Sequence, residues 1–205
     1  ELSRSFFENT RRPAGLGGKV MVSMMNLGHR PLADWGFQFL DAASDAAVLD
    51  CGCGGGANIR RLLKLCPDGV VKGIDYSPVS VEKSRKLNAE AIRMGRCTVM
   101  QGSVIDMLFA ASQFDLATAF ETVYFWPDLL QSFREVYRVL KSGGMFLICN
   151  ECGGDKAGDE KWTEKISGMT IYKDTQLQNF LEQAGFHTVQ THKNKKGWLC
   201  VTARK

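Results

Sequence analysis

The feature that most restricts this 205-residue chain is the run Val48-Leu49-Asp50-Cys51-Gly52-Cys53-Gly54-Gly55-Gly56. It passes from an apolar β-type segment through clustered glycines into a segment of helical period beginning at Asn58. Glycines at a strand-to-helix turn allow a tight bend with positive φ and remove the Cβ atoms that keep a ligand off the backbone. The loop N–H groups and the following helix N-terminus are then expected to face a ligand and to favour a carboxylate or phosphate. In an open α/β sheet, a turn of this kind lies at the carboxyl ends of the strands, where ligands bind.

The rest of the chain repeats the alternation. Ala47–Asp50, Val70–Asp75, Cys97–Gln101, Phe114–Phe120 and Met145–Asn150 read as short apolar strands. Between them lie helical patterns at Asn58–Leu65, from Pro78 to about Met94 with Ser77 as cap, and over Asp128–Leu140. Strands alternating with helices predict a doubly wound, Rossmann-like parallel sheet with helices on both faces. Beyond it, Asp159–Ile166 and Asp174–Ala184 read as helices, the second closed by Gly185. Thr188–His192 and Trp198–Arg204 read as an antiparallel terminal hairpin. Ahead of the first strand, Lys19–Leu27 and Ala33–Ala42 read as helices split at Gly28-His29-Arg30-Pro31, with Pro31 biasing Arg30 away from helix. The expected organisation is a helical lead-in over residues 1–45, covering the pocket, and one ligand-binding domain over 46–205.

Composition narrows the class. The chain is 44% apolar and 23% charged, the mix of a soluble globular protein, and its net charge of +4 is far from a dense basic stripe. No apolar run is long enough to cross a bilayer, and Glu1–Pro13 has no apolar signal core. Cys51, Cys53, Cys66, Cys97, Cys149, Cys152 and Cys200 are odd in number and sit mostly in apolar runs. Reduced thiols and a cytoplasmic location are expected. Neither Cys51-x-Cys53 nor Cys149-x-x-Cys152 supplies four paired ligands, so no metal is expected.

Asp75 ends the second strand after the glycine loop, placed to accept both hydroxyls of an adenosine ribose. Gly52-x-Gly54-x-x-Ala57 also satisfies a dinucleotide fingerprint, so an NAD-binding reductase is the competing enzyme. Three features oppose it. Asp50 would set negative charge beside a pyrophosphate but suits the ammonium of a methionine moiety. Little chain follows the fifth strand to form a substrate domain. The one Tyr-x-x-x-Lys, Tyr137 to Lys141, lies in an amphipathic helix. A non-catalytic cofactor-binding module is the third reading.

Several motifs, in order over Ala47–Lys205, resemble the class I S-adenosylmethionine-dependent methyltransferases, in particular the small-molecule, quinone-biosynthesis-like group. VLDCGCGGG is similar to the family's first motif. GIDYS (Gly73–Ser77) is similar to its acid motif, and QGSV (Gln101–Val104) occupies the place after the third strand. FDLATAF (Phe114–Phe120) and VLKSGG (Val139–Gly144) match the fourth strand and the turn before the fifth. The lead-in FFENTRRPAGLGGKVMVSMMNLGH resembles that of bacterial members. Ser103 departs from the family's usual acid and Ser142 from its usual proline.

The resemblance implies S-adenosylmethionine as cofactor and a sheet order of 3-2-1-4-5-7-6. It implies that Asp50, Cys51, Gly52, Cys53, Gly54 and Gly56 hold the methionine end, and that Asp75 takes the ribose. Tyr76 covers the adenine, Ser103 and Val104 border it, and Ser77 and Gly102 are further cofactor contacts. Phe120 and Glu121 lie near the sulfonium.

On the acceptor side, Glu121, Tyr124, Phe125 and Trp126 follow the fourth strand and Glu151 follows the fifth. Tyr124, Glu121 and His29 are the candidate catalytic residues, and Arg11-Arg12 is a candidate anion contact. Amino-directed base methylases carry Asn/Asp-Pro-Pro-Tyr/Phe after the fourth strand, where this chain has Phe120-Glu121-Thr122-Val123. A small-molecule acceptor is expected, with no nucleic acid or membrane partner.

Overall fold

The structure is a computed structural model that describes residues 28–205. The helix expected over Lys19–Leu27 and the Arg11-Arg12 pair lie outside the described residues. The described elements are α1 (Arg30–Gly36), a 3-10 turn (Phe37–Phe39), β1 (Ala47–Cys51), α2 (Ala57–Leu65), β2 (Val70–Asp75), α3 (Pro78–Leu87), α4 (Ala89–Arg93), β3 (Cys97–Gln101) and β4 (Phe114–Phe120). A second 3-10 turn (Val123–Phe125), α5 (Leu129–Val139), β5 (Leu140–Asn150), α6 (Glu160–Lys165), α7 (Asp174–Ala184), β6 (His187–Lys193) and β7 (Leu199–Arg204) follow.

The strands form one sheet in the order β3-β2-β1-β4-β5-β7-β6. The pairings from β3 to β5 are parallel, while β7 runs antiparallel to both β5 and β6. The apolar runs are continuous because both faces of the inner strands are covered. Leu49, Ala117 and Phe146 pack on one face with Phe133 of α5 and Leu177 of α7. Val48, Leu116 and Met145 pack on the other with Ile59 and Leu62 of α2 and Val81 of α3. A third cluster joins Leu32 and Ala33 of α1 to Phe120, Leu147, Cys149 and Cys200. The lead-in helix is therefore seated in the core at the end of β4.

Three boundaries differ from the sequence reading. Arg30 opens α1 and Pro31 lies in its first turn, where a backbone N–H has no helical acceptor and its loss costs little. That helix gives way to the 3-10 turn after Gly36 and does not reach Ala42. The helix expected to run from Pro78 to Met94 breaks at Asn88, whose Nδ2 donates to Gly56 O at 3.1 Å and to Ser84 O at 2.9 Å. The third is at Lys141–Gly144, which falls inside β5 as an irregularity: Leu140 pairs with Phe114 and Met145 with Leu116, and the four residues between them bulge, with Gly143 at φ +77°. Gly143 N donates to Lys205 O at 2.7 Å and Lys205 N to Gly144 O at 3.0 Å, which anchors the bulge.

Candidate active site

A cleft of about 640 Å³ opens where the carboxyl ends of β1, β2 and β4 meet. Its lining comes from His29 and one side of α1, the glycine loop, one side of α2, the Asp75-Tyr76 corner, and Phe120, Glu121, Thr122 and Phe125 beyond β4.

Two buried carboxylates flank the loop. Asp50, one residue before the end of β1, stands beside Thr118 of β4, its partner in register, and accepts a hydrogen bond from Thr118 Oγ1 at 2.8 Å. Burial pushes the Asp50 carboxyl from 3.8 up to about 7; the Thr118 hydrogen bond opposes the rise and the charge of Asp75 adds to it. Thr118 escaped the sequence reading because only the strand order puts β4 next to β1. Asp75 accepts from Gly54 N at 2.8 Å through Oδ2 and from Ser77 N at 2.9 Å through Oδ1. Burial raises its carboxyl too, and the two backbone donors offset part of the rise.

Four of the loop N–H groups are engaged within the protein. Gly52 N and Cys53 N donate to Ile74 O, Gly54 N to Asp75, and Gly56 N to Cys53 O. What the loop offers the cleft is room. A Cβ on Gly54, at φ +52°, would meet no atom within 4 Å, so bare backbone faces the open space there. A Cβ on Gly56 would lie 2.3 Å from Ser84 Oγ, so this glycine lets α3 pack against the loop.

At the end of β4, Glu121 takes a left-handed backbone, φ +56°. Its Oε1 accepts from Tyr124 Oη at 2.8 Å and from Glu151 N. Tyr124 Oη in turn accepts from Cys152 N at 2.9 Å. Glu121 Oε2 lies 3.8 Å from His29 Nε2. Burial raises the Glu121 carboxyl; His29 and the hydrogen bonds pull it back, and Glu151 adds to the rise. His29, Glu121 and Glu151 present ligand atoms within 4.8 Å of one another, a spacing that can hold a divalent cation.

The structure brings His29, Asp50, Gly52, Cys53, Gly54, Asp75, Tyr76, Phe120 and Glu121 together on the cleft. Cys51 is buried in the core beneath it, and Ser77 is buried as the cap of α3, accepting from Ser80 N. Gly102, Ser103 and Val104 lie past β3 outside the lining: Gly102 N donates to Asp75 O, Ser103 Oγ accepts from Ile105 N, and Val104 joins the core. Tyr124, 3% exposed, sits behind Glu121 and reaches the cleft only through it. Trp126 packs near Phe133 and Phe146 and donates to Thr122 Oγ1, so it serves the core rather than the cleft. The sequence reading assigned no role to Thr122 or to the cations of α2, Arg60, Arg61 and Lys64.

Residues 49–148 match the family model described as a methyltransferase domain. The chain carries a class I S-adenosylmethionine-dependent methyltransferase domain. A Bacillus subtilis protein named uncharacterized methyltransferase YdaC is 28% identical over 180 residues, 86% of this chain and 93% of that one. The Arabidopsis thaliana cycloartenol-C-24-methyltransferase is 29% identical over 69% of this chain. The chain spans 45% of that relative's length and 34% of its rice counterpart's. Among solved structures, the methyltransferase complexed with the Haloferax volcanii Trm112 activator superposes with a TM-score of 0.81 at 19% identity, over 89% of this chain and 92% of that one. A SAM-dependent methyltransferase from Aquifex aeolicus gives 0.74 at 18% identity, over 90% and 97%.

The family's cofactor is S-adenosylmethionine, and the residues fit it. An uncovered stretch of backbone at Gly54 lies between two carboxylates, one able to meet an ammonium and the other two hydroxyls. No described helix is long and apolar enough to cross a membrane.

Proposed function

We propose that the protein transfers a methyl group from S-adenosylmethionine to a small-molecule acceptor. The observation that carries this reading is the placement of Asp50 and Asp75 on either side of the open backbone at Gly54. Asp50 meets the ammonium of the methionine end, Asp75 the ribose hydroxyls, and Tyr76, half-exposed on the cleft, covers the adenine. The bound donor supplies a methyl on a sulfonium, whose in-line displacement needs mainly alignment, worth ~7–11 kcal/mol in favourable cases.

The remaining work falls to the protein. Phe120 and Phe125 give the acceptor end an apolar lining, and α1 supplies the facing wall through Leu32 and Ala33. Glu121, fixed by Tyr124, and His29 are the groups able to accept a proton from an acceptor that arrives protonated. Such a base contributes roughly 10²- to 10⁴-fold. We read residues 1–45 as a lead-in, of which the described part, from residue 28, walls the pocket, and 46–205 as the domain proper. Seven free thiols fit a reducing, cytoplasmic setting.

Calorimetric titration with S-adenosylmethionine, S-adenosylhomocysteine and NAD tests the reading. Binding of the first two and not of NAD is expected. Binding of NAD alone would replace it with the reductase.

A further inference from the structure

We infer that the cleft wall between α1 and α2 is an anion subsite and that the methyl acceptor bears a phosphate or carboxylate group. The inference rests on the methyl-donor reading above. Four cationic side chains line this side of the cleft: Arg30 at the start of α1, and Arg60, Arg61 and Lys64 of α2. Arg61 is already engaged. Its guanidinium pairs with Asp34 at 2.5 Å and lies 5.4 Å from the centre of the Phe37 ring. Arg60 and Lys64 stand one helical turn apart on the same side of α2. They and Arg30 are exposed and form no ion pair among the described residues.

The acids of the cleft lie at its floor and have internal donors. Asp50 is held by Thr118, Asp75 by Gly54 and Ser77, and Glu121 by Tyr124. They complement the donor, which carries an ammonium and a sulfonium against a single carboxylate and so has net positive charge. That carboxylate can satisfy one cation, and positive charge on the wall is left over. Like charges lining a concave surface reinforce one another and concentrate the opposite ion. A guanidinium grips phosphate or carboxylate through two parallel hydrogen bonds. The wall also adjoins the reacting end, because Arg30 follows His29, which stands 3.8 Å from Glu121. An anionic group held there places the rest of its molecule beside the end of β4.

The test is a titration of the protein, saturated with S-adenosylhomocysteine, with inorganic pyrophosphate and separately with citrate at low ionic strength. At least one anion is expected to bind, and about tenfold more weakly to the Arg60→Gln/Lys64→Gln variant, for the loss of two charged contacts. The Arg93→Gln/Lys161→Gln variant makes the same charge change outside the cleft and is expected to bind like the unaltered protein. A preference for pyrophosphate marks a phosphate-bearing acceptor, and one for citrate a carboxylate-bearing one. No binding of either anion, or equal weakening in both variants, overturns the inference. Saturation with S-adenosylhomocysteine is checked first. A protein that does not take it refutes the donor reading, and the same titrations on the ligand-free protein then decide the anion subsite separately.

Discussion

Asp75 Oδ2 accepts a hydrogen bond from the backbone N–H of Gly54 at 2.8 Å, so the acid that closes β2 holds the loop that follows β1. The residue proposed to take the ribose therefore also shapes the glycine loop. Asp75→Ala removes the acceptor of both Gly54 and Ser77 as well as the ligand contact. Two losses are expected: about 1–3 kcal/mol in cofactor affinity and a similar amount in stability, the cost of unpaired buried donors. Calorimetry and denaturant unfolding measure them separately. Unchanged affinity for S-adenosylhomocysteine in a folded variant would remove Asp75 from the site.

Asp50 makes the site sensitive to pH. Its carboxyl is raised from 3.8 to about 7 in the folded protein, so between those values the unfolded chain has lost the proton that the folded one keeps. The contribution of Asp50 to ligand-free stability is therefore present at low pH and lost as pH rises through about 7. Cofactor affinity has the opposite trend, since an ammonium prefers the ionised carboxylate: it should fall by about tenfold per pH unit below the Asp50 midpoint. Asp50→Asn should flatten that dependence. Identical pH profiles for the two proteins would show that Asp50 does not meet the ammonium.

The glycines of the loop should separate by role. Gly54→Ala adds a methyl to open space and pays mainly for a left-handed backbone, roughly 1–2 kcal/mol. Its chief effect is expected on cofactor affinity. Gly56→Ala sets a Cβ 2.9 Å from Ser84 Cα and 2.3 Å from Ser84 Oγ, so the overpacking penalty of typically 1–3 kcal/mol adds to the backbone strain. Thermal unfolding of both proteins checks the order. Equal destabilisation would contradict it.

Tyr124→Phe should leave S-adenosylhomocysteine binding unchanged, because Tyr124 does not line the cleft. It leaves Cys152 N without its acceptor and Glu121 without one of its donors, at a cost of about 1–3 kcal/mol in unfolding free energy. A fall in affinity with no loss of stability would place the phenol in the cleft after all.

The strands were legible because buried parallel strands write themselves as short apolar runs, and Val70–Asp75, Cys97–Gln101 and Phe114–Phe120 appear with the ends expected of them. The break at Asn88 was not legible, since its side chain bonds a carbonyl thirty-two positions away at Gly56 as well as its neighbour Ser84. Pro31 misled for a related reason: proline signals a break or a first turn, and the packing of Leu32 and Ala33 against Phe120 and Cys149 decides which. At the site, Asp50, Asp75 and Gly54, which the structure brings to one cleft, stand out in the sequence as acids near strand ends and a glycine run. Thr118, Thr122 and the cations of α2 needed the strand order and the direction of each side chain. Tyr124 and Trp126 show the converse, aromatic residues near the site in sequence that face the protein interior.

A crystal structure with S-adenosylhomocysteine tests the central claim most directly. The account predicts the nucleoside in the cleft, its ribose hydroxyls on Asp75, its ammonium beside Asp50 and its backbone-facing edge against Gly54. A nucleoside bound elsewhere, or a saturated crystal with nothing beside Gly54, would contradict it.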